Sequence, residues 1–376
     1  MLCFPYTTMR KDRLETIPCN LCGGSETEPL FEIIENITGR SETFNIVRCK
    51  ACGLCFVNPR PLRETIALYY PEDSYYSYQF NNPASQKQRI RNYILEEQAG
   101  YAHSGRDGVL VRVAGQLVKR LMKNQILMRI PYRPGGKALD IGCGCGEHLL
   151  WLKNHGWSAV HGVELSLHAA QLANENGLNV FCGELAAACY PENYFDFITI
   201  GHTLEHMHDP MMVLKEIHRI LKEDGVLVIG VPNFESYENR VFGKDQSLLN
   251  EVPRHLYHFS IKTMNAMLKK NGLQVEKTVG KTFFIPKANR SSFKALLENG
   301  STASFISALY KIYVQRPFKY MLSTDKESFG QLFTFYVKKS KRSDCRIQEY
   351  NLGKQMKRLT EDEKFPIESH IGILKD

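Results

Sequence analysis

The chain has 376 residues, 43% of them hydrophobic and 23% charged, with a formal net charge of +8, which is enough apolar material to bury a sizeable core in two linked units. No run of eighteen apolar residues occurs, and the first ten, MLCFPYTTMR, lack the charged start and long apolar stretch of a secretory signal, so neither a membrane span nor export is expected. Eleven cysteines, an odd number grouped at metal spacing, point to a reducing compartment and hence to the cytoplasm.

Taken in chain order, the first signal is Cys19-x-x-Cys22 followed by Cys49-x-x-Cys52, each pair running into a glycine. Two such knuckles read as one tetrahedral zinc site within residues 15–62, and four thiolates close the shell, so the ion is structural rather than catalytic. Cys55 competes with the second pair as a ligand. Reduced cysteines in a small β domain, or an iron–sulfur cluster, are the other readings of the same spacing.

Residues 63–133 read as linker and helices. YYPEDSYYSYQF, from Tyr69 to Phe80, is rich in tyrosine, and Tyr75 and Tyr76 are candidates to line an acceptor site. From Ala84 to Arg133 there are ten Lys or Arg against Glu96, Glu97 and Asp107, a local charge of +7. Leu110, Val113, Leu117 and Leu121 fall at helical spacing inside Val109 to Ile130. The plain reading is a solvated basic face. The functional reading is attraction for an anionic group, such as a nucleotide diphosphate carrier or a lipid head group, which leaves peripheral membrane contact open.

Lys137 to His148 reads KALDIGCGCGEH, an apolar strand ending in an acid and then glycines at alternate positions. Gly142, Gly144 and Gly146 let the chain leave a strand sharply and bring its backbone against a ligand. A dinucleotide fingerprint would need glycine at 147, where Glu147 stands, and has no use for Asp140. S-adenosylmethionine fits better, because it carries an ammonium and a sulfonium instead of a pyrophosphate and so favours nearby carboxylates. Glu164, ending the strand AVHGVEL twenty-two residues after Gly142, is placed to accept the ribose hydroxyls.

The following segment alternates β and α with short connections. Helices are expected near Glu147 to Asn154, from Leu167 to Asn176 with Ser166 as N-cap, from Asp209-Pro210 to about Lys222, and from Ser260 to Asn271. Strands are expected at Ala159 to Glu164, Asn179 to Cys182, Phe195 to Ile200, Gly225 to Val231, Leu273 to Val279 and Gln331 to Lys339. FDFITI is nearly all apolar, as a parallel strand covered on both faces should be.

After FDFITI comes GHTLEHMHDP. His202, Glu205 and His206 match the H-x-x-E-H pattern of a zinc protease, but that pattern needs one continuous helix, and here it follows directly on a strand and precedes Asp209-Pro210. The carboxyl end of a strand in an open α/β sheet is instead a ligand site. Transfer from a sulfonium is an in-line displacement that asks the protein to align the acceptor and, where necessary, remove a proton. His206 is the first candidate base, with Glu205 as its orienting partner. His255 and His258, in VPRHLYHFS, are the second pair, and Arg254 is a candidate to hold an acceptor anion.

On the acid two residues before a GxGxG loop, and the second strand ending in Glu164, the chain resembles the class I S-adenosylmethionine-dependent methyltransferases over roughly Lys137 to Gly280. The resemblance implies a doubly wound, mostly parallel seven-stranded sheet with an antiparallel edge hairpin. It also implies a donor site drawn from Asp140, Gly142, Cys143, Gly144, Gly146, Glu164, Leu165, Gly183, Glu184 and His202. The cysteine pairs with RCKACGLCFVNPRP resemble the N-terminal zinc-binding module of bacterial methyltransferases acting on deoxysugars and other small intermediates. The tyrosine-rich stretch resembles the lid of that group. Enzymes of the class that act on base exocyclic amines carry N/D-P-P-Y/F where this chain has GHTLEHMHDP, so nucleic acid is an unfavoured partner.

The implied organisation is a zinc ribbon over 15–62, a lid and linker over 63–133, a methyltransferase domain over 134–340 with an insert at 281–330, and a disordered tail over 341–376. The insert mixes Phe305, Tyr310, Tyr313, Phe318 and Tyr320 with Lys311, Arg316 and Lys319, and reads as a helical cover in preference to a membrane-surface patch. The leading function is methyl transfer to an oxygen or carbon of a small intermediate, such as a sugar or carrier-linked glycan. An RNA- or protein-modifying methyltransferase that docks through the ribbon, and a non-catalytic donor-binding subunit, are the competing classes.

Overall fold

The computed structural model describes residues 13–35, 37–70, 89–90, 92–94, 96, 101, 109–121, 130–131, 133–245, 251–281, 290–299, 302–323 and 329–340. Tyr75 and Tyr76, most of the lid and the tail at 341–376 lie outside them. The N-terminal part contains β1 (Leu14–Glu15), β2 (Thr27–Ile34), β3 (Thr43–Cys49), β4 (Cys55–Val57) and β5 (Arg60–Pro61), followed by α1 (Val109–Leu121). There follow β6 (Lys137–Ile141), α2 (Glu147–Asn154), β7 (Ala159–Glu164), α3 (Leu167–Glu175), β8 (Asn179–Cys182), β9 (Phe195–Gly201) and α4 (Pro210–Ile220). The remaining elements are β10 (Leu221–Pro232), α5 (Tyr237–Phe242), β11 (Tyr257–His258), α6 (Ile261–Lys270), β12 (Leu273–Lys281), α7 (Arg290–Asn299), α8 (Thr302–Tyr310), α9 (Arg316–Leu322) and β13 (Leu332–Lys339).

Seven strands form one sheet in the order β12-β13-β10-β9-β6-β7-β8. The pairs from β10 through β9, β6 and β7 to β8 are parallel, and β13 runs antiparallel between β10 and β12. The chain leaves β6 toward β7 on one side and returns to β9 on the other, so the carboxyl ends of β6 and β9 flank the switch point where ligands bind in open α/β sheets. Phe195, Phe197, Ile198 and Ile200 of β9 are fully buried, each side chain contributing about 1.5–3 kcal/mol relative to exposure. Capping follows the sequence: Ser166 Oγ accepts the Ala169 N–H at 3.3 Å, and Ser260 with Thr263 forms a reciprocal capping box at the start of α6.

Two boundaries differ from expectation. α4 ends at Ile220 rather than near Lys222, because Leu221 already pairs with Phe195 and begins β10, with a register shift between Leu221 and Val226. β12 runs to Lys281 rather than Val279, into the stretch expected as an insert, whose described helices are Arg290–Asn299, Thr302–Tyr310 and Arg316–Leu322, with Lys311–Gln315 a π turn between the last two.

The ribbon is also less separate than its sequence suggests. Its sheet has the order β11-β4-β3-β2, so the strand that carries His258 is supplied from beyond the seven-stranded sheet's β10. Asn20, in the first cysteine knuckle, donates to Asp209 Oδ1 at 2.9 Å and accepts the Met211 N–H at 3.1 Å, while Asp209 caps α4 through Met212 N at 3.0 Å. Lys270 Nζ donates to the Leu21 carbonyl at 2.6 Å. Arg60, 7% exposed, donates to Glu15, to the His208 carbonyl and to the Tyr257 hydroxyl. A guanidinium with carboxylate and carbonyl acceptors can be buried at acceptable cost. Among the described residues no helix is long and apolar enough to cross a membrane.

Candidate active site

The glycine loop leaves β6 with Gly142, Gly144 and Gly146 at φ of 70°, 53° and 84°, left-handed values that favour glycine. A Cβ on Gly142 would lie 2.9 Å from the Cβ of Thr203 and nearer still to its Oγ1, so the loop after β6 and the segment after β9 touch at this point. Glu164, at the end of β7, accepts the Gly144 N–H on Oε2 and the Ser166 N–H on Oε1, both at 2.9 Å. These bonds fix the loop and the start of α3, and each oxygen keeps a further lone pair for a hydroxyl donor. Asp140 is buried, accepts the Thr199 hydroxyl at 2.6 Å on Oδ1 and has His148 Nδ1 3.3 Å from Oδ2.

The other expected donor-site residues divide. Gly183, at a φ of 149°, donates to the Glu164 carbonyl at 2.9 Å, and Leu165 is exposed. His202 is half exposed with a φ of 55°. Cys143 is buried with its thiol pushed well up, mainly by that burial and then by the nearby Asp140 carboxylate, so it packs the loop from beneath. The Glu184 carboxylate pairs with Arg63.

Beside this loop, Glu205, His206 and His255 bring one ligand-capable atom each within 4.8 Å of one another. Glu205 and His206 lie in a short 3-10 turn, Leu204–His206, after β9. The Arg254 carbonyl lies 3.0 Å from His206 Nδ1, and the Tyr70 hydroxyl lies 3.1 Å from the same nitrogen. A carbonyl can only accept, so Nδ1 carries the hydrogen and Nε2 the lone pair. The described hydrogen-bond contacts of His206 Nδ1 are thus to Arg254 and Tyr70 and not to Glu205, whose two oxygens are buried without a hydrogen-bond partner among the described residues. Arg254, the candidate to hold an acceptor anion, is buried and paired with Glu251.

Burial holds the imidazoles of His206 and His255 below the ordinary range, for His255 well below it with His206 as a second cause, so both are neutral at neutral pH. Their rings meet edge to face at 4.6 Å. His258 stands apart on the ribbon sheet, 6.5 Å from His255 between ring centroids, and burial pushes it down to about 3. Thr199, Thr203 and His148, which lie against the loop and the cluster, were not singled out from the sequence, whereas Tyr70 falls within the tyrosine-rich stretch that was. Thr199 alone left a signal, as a hydroxyl inside the otherwise apolar run after Asp196.

At the ribbon, Cys19, Cys22, Cys49 and Cys52 bring four sulfurs within 4.8 Å of one another, with Sγ–Sγ distances of 3.4 Å for Cys19–Cys52 and for Cys22–Cys49. An ion about 2.3 Å from each of four sulfurs sets tetrahedral edges close to these values. The Gly24 N–H points at Cys22 Sγ at 3.4 Å, the kind of support a thiolate takes. Cys55 is outside the cluster, its sulfur 3.6 Å from the Gly53 carbonyl and its thiol raised to about 11, chiefly by burial.

Residues 113–278 match the model of a family described as a methyltransferase domain. A demethylmenaquinone methyltransferase of Lysinibacillus sphaericus is 29% identical over 113 residues, covering 28% of this chain and 48% of the relative. An uncharacterized protein of Methanocaldococcus jannaschii is 24% identical, covering 41% of this chain and 72% of the relative. The chain thus spans about half the length of the first of these curated relatives. Among solved structures, an S-adenosylmethionine-dependent methyltransferase of Thermotoga maritima aligns with a TM-score of 0.39 at 22% identity, over 55% of this chain and 84% of that one.

Proposed function

We propose that this chain, whose residues 113–278 carry a methyltransferase domain, transfers the methyl group of S-adenosylmethionine to an oxygen or carbon of a small biosynthetic intermediate in the cytoplasm, with a sugar or carrier-linked glycan as the acceptor class. The observation that supports this most is the contact of the Gly142 loop with Thr203, two residues from Glu205 and three from His206. Donor loop and proton-accepting cluster therefore meet at the switch point of the sheet.

In this reading the Gly142–Gly146 backbone and Glu164 seat the donor, and the acceptor lies toward His206 and His255. The acceptor oxygen or carbanion attacks the methyl carbon in line with the carbon–sulfur bond. That bond breaks, its electron pair stays on sulfur, and S-adenosylhomocysteine leaves. His206 Nε2 takes the acceptor's proton, since its Nδ1–H is committed to the Arg254 carbonyl. The docked ribbon, with Asn20 on the cap of α4 and Arg60 on β11, favours a built-in support over a free docking module for RNA or protein.

For the thiolate cluster, the proposed ion is structural zinc held by Cys19, Cys22, Cys49 and Cys52. Chelation is expected to loosen β2–β4 and, through β11, the segment carrying Arg254 and His255. The test of the activity is incubation with labelled donor and a metabolite extract, to which a demethylated quinone is added as one acceptor. Label in small anionic or sugar-containing products supports the reading. Label confined to RNA or protein, or donor binding without turnover on any acceptor, overturns it.

A further inference from the structure

Glu205 is 1% exposed, and both its carboxylate oxygens are buried without a hydrogen-bond partner among the described residues. The nearest ionisable contact is His202 Nδ1, 3.7 Å from Oε1, on a side chain that is half exposed. Burying a carboxylate without donors is unfavourable, because the group gives up its hydration and gains no hydrogen bond in return. A side chain so placed calls for a positive partner.

Two more ligand atoms face the same point. His206 and His255 each bring a ring nitrogen within 4.8 Å of the Glu205 carboxylate and of each other. His206 also has the outer contact that metal-binding imidazoles carry, Nδ1–H on a backbone carbonyl, which fixes the tautomer and leaves Nε2 with its lone pair. Ions of this kind sit about 2.1 Å from nitrogen and oxygen ligands, so the three atoms must draw closer than their present spread.

We propose that Glu205, His206 and His255 form a site for one divalent first-row transition ion, distinct from the thiolate cluster. Two imidazoles and one carboxylate suit manganese, iron or zinc ions, and three ligands leave positions for an acceptor hydroxyl or enol oxygen. An oxygen bound there becomes more acidic. When the ion is present, His206 acts as a ligand, and the oxygen is activated by the cation instead of by the imidazole. The role in acceptor activation rests on the methyl-transfer reading above, whereas occupancy of the site can be read without any turnover.

Manganese is the probe of choice, because its preference for oxygen and nitrogen donors keeps it from the four thiolates. The full chain, with its ribbon zinc in place, is titrated with Mn2+ by calorimetry and by loss of the free-ion paramagnetic signal. Saturable binding is expected in the parent protein, weakened by more than about tenfold in Glu205→Gln and in His255→Gln. The metal-free Glu205→Gln protein should melt no lower than the metal-free parent, since it loses an unpartnered charge, and Mn2+ should raise the melting temperature of the parent only. Equal Mn2+ affinity in parent and variants, or no binding by the parent, overturns the site. S-adenosylhomocysteine binding, measured in parallel, shows that each variant is folded. Its absence from the parent would instead overturn the methyl-transfer reading, so the two failures are separable.

Discussion

His206 and Arg254 are 48 residues apart in the chain, yet the Arg254 carbonyl lies 3.0 Å from His206 Nδ1. The contact is held from both sides, by the Leu256 N–H on the Glu205 carbonyl at 2.8 Å and the His255 N–H on the Glu251 carbonyl at 3.0 Å. It ties the segment after β9 to the segment before β11, and so ties the His206 ring to the sheet that contains β2, β3 and β4.

Replacing His206 by Ala is expected to lower kcat by about 100- to 10,000-fold while leaving the dissociation constant for the donor within about twofold, because the described hydrogen-bond contacts of the ring are to Tyr70 and Arg254 and not to the glycine loop. Steady-state kinetics with calorimetric donor titration checks this. Unchanged kcat would remove His206 from the chemistry.

Acid should destabilise the fold through His258. Burial lowers its imidazole from an ordinary 6.5 to about 3, so between these values the unfolded chain binds a proton that the folded chain does not. Its contribution is complete above pH 6.5 and declines as pH falls toward 3, at about 1.4 kcal/mol per pH unit. Urea midpoints measured downward from neutral pH in the parent and in His258→Phe should show a shallower decline in the variant. Thiolate protonation at the ribbon affects both proteins equally and cancels in the comparison.

At Gly142, alanine combines a positive φ with a Cβ driven into Thr203. The expected destabilisation is about 2 kcal/mol or more, with donor binding lost beyond what the lower stability explains. Thr203→Ala in the same background removes the collision and should recover stability but not the φ strain. Donor titration and thermal melting of the single and double variants separate the two terms.

The Arg316–Glu238 pair, 1% and 0% exposed by side chain, joins α9 of the insert to α5. Burial pushes the Glu238 carboxyl up to about 7 against the opposing pull of Arg316. Arg316→Met should cost about 3–5 kcal/mol by stranding Glu238, whereas Arg316→Met with Glu238→Gln should regain most of it. Chemical denaturation of the two proteins decides the matter, and an equal loss in both would mean that the arginine acts by packing alone.

The local signals in the sequence were strong because each is enforced by near neighbours. Alternate glycines after Asp140, apolar β9, the Ser166 and Ser260 caps and two C-x-x-C knuckles all depend on backbone geometry or metal spacing within a few residues, and they located the sharp turn after β6, the strands and the cysteine cluster. The choice among Cys49, Cys52 and Cys55 needed the fold, because β4 begins at Cys55 and carries that sulfur away from the other three. The partition of the histidines needed it too. His255 and His258 are three residues apart, but β11 sends His258 into the ribbon sheet and leaves His255 beside His206. Glu205 reads as an orienting partner in sequence and becomes an unpartnered buried carboxylate in three dimensions, since hydrogen-bond satisfaction is set by what packs around a group and not by its position along the chain.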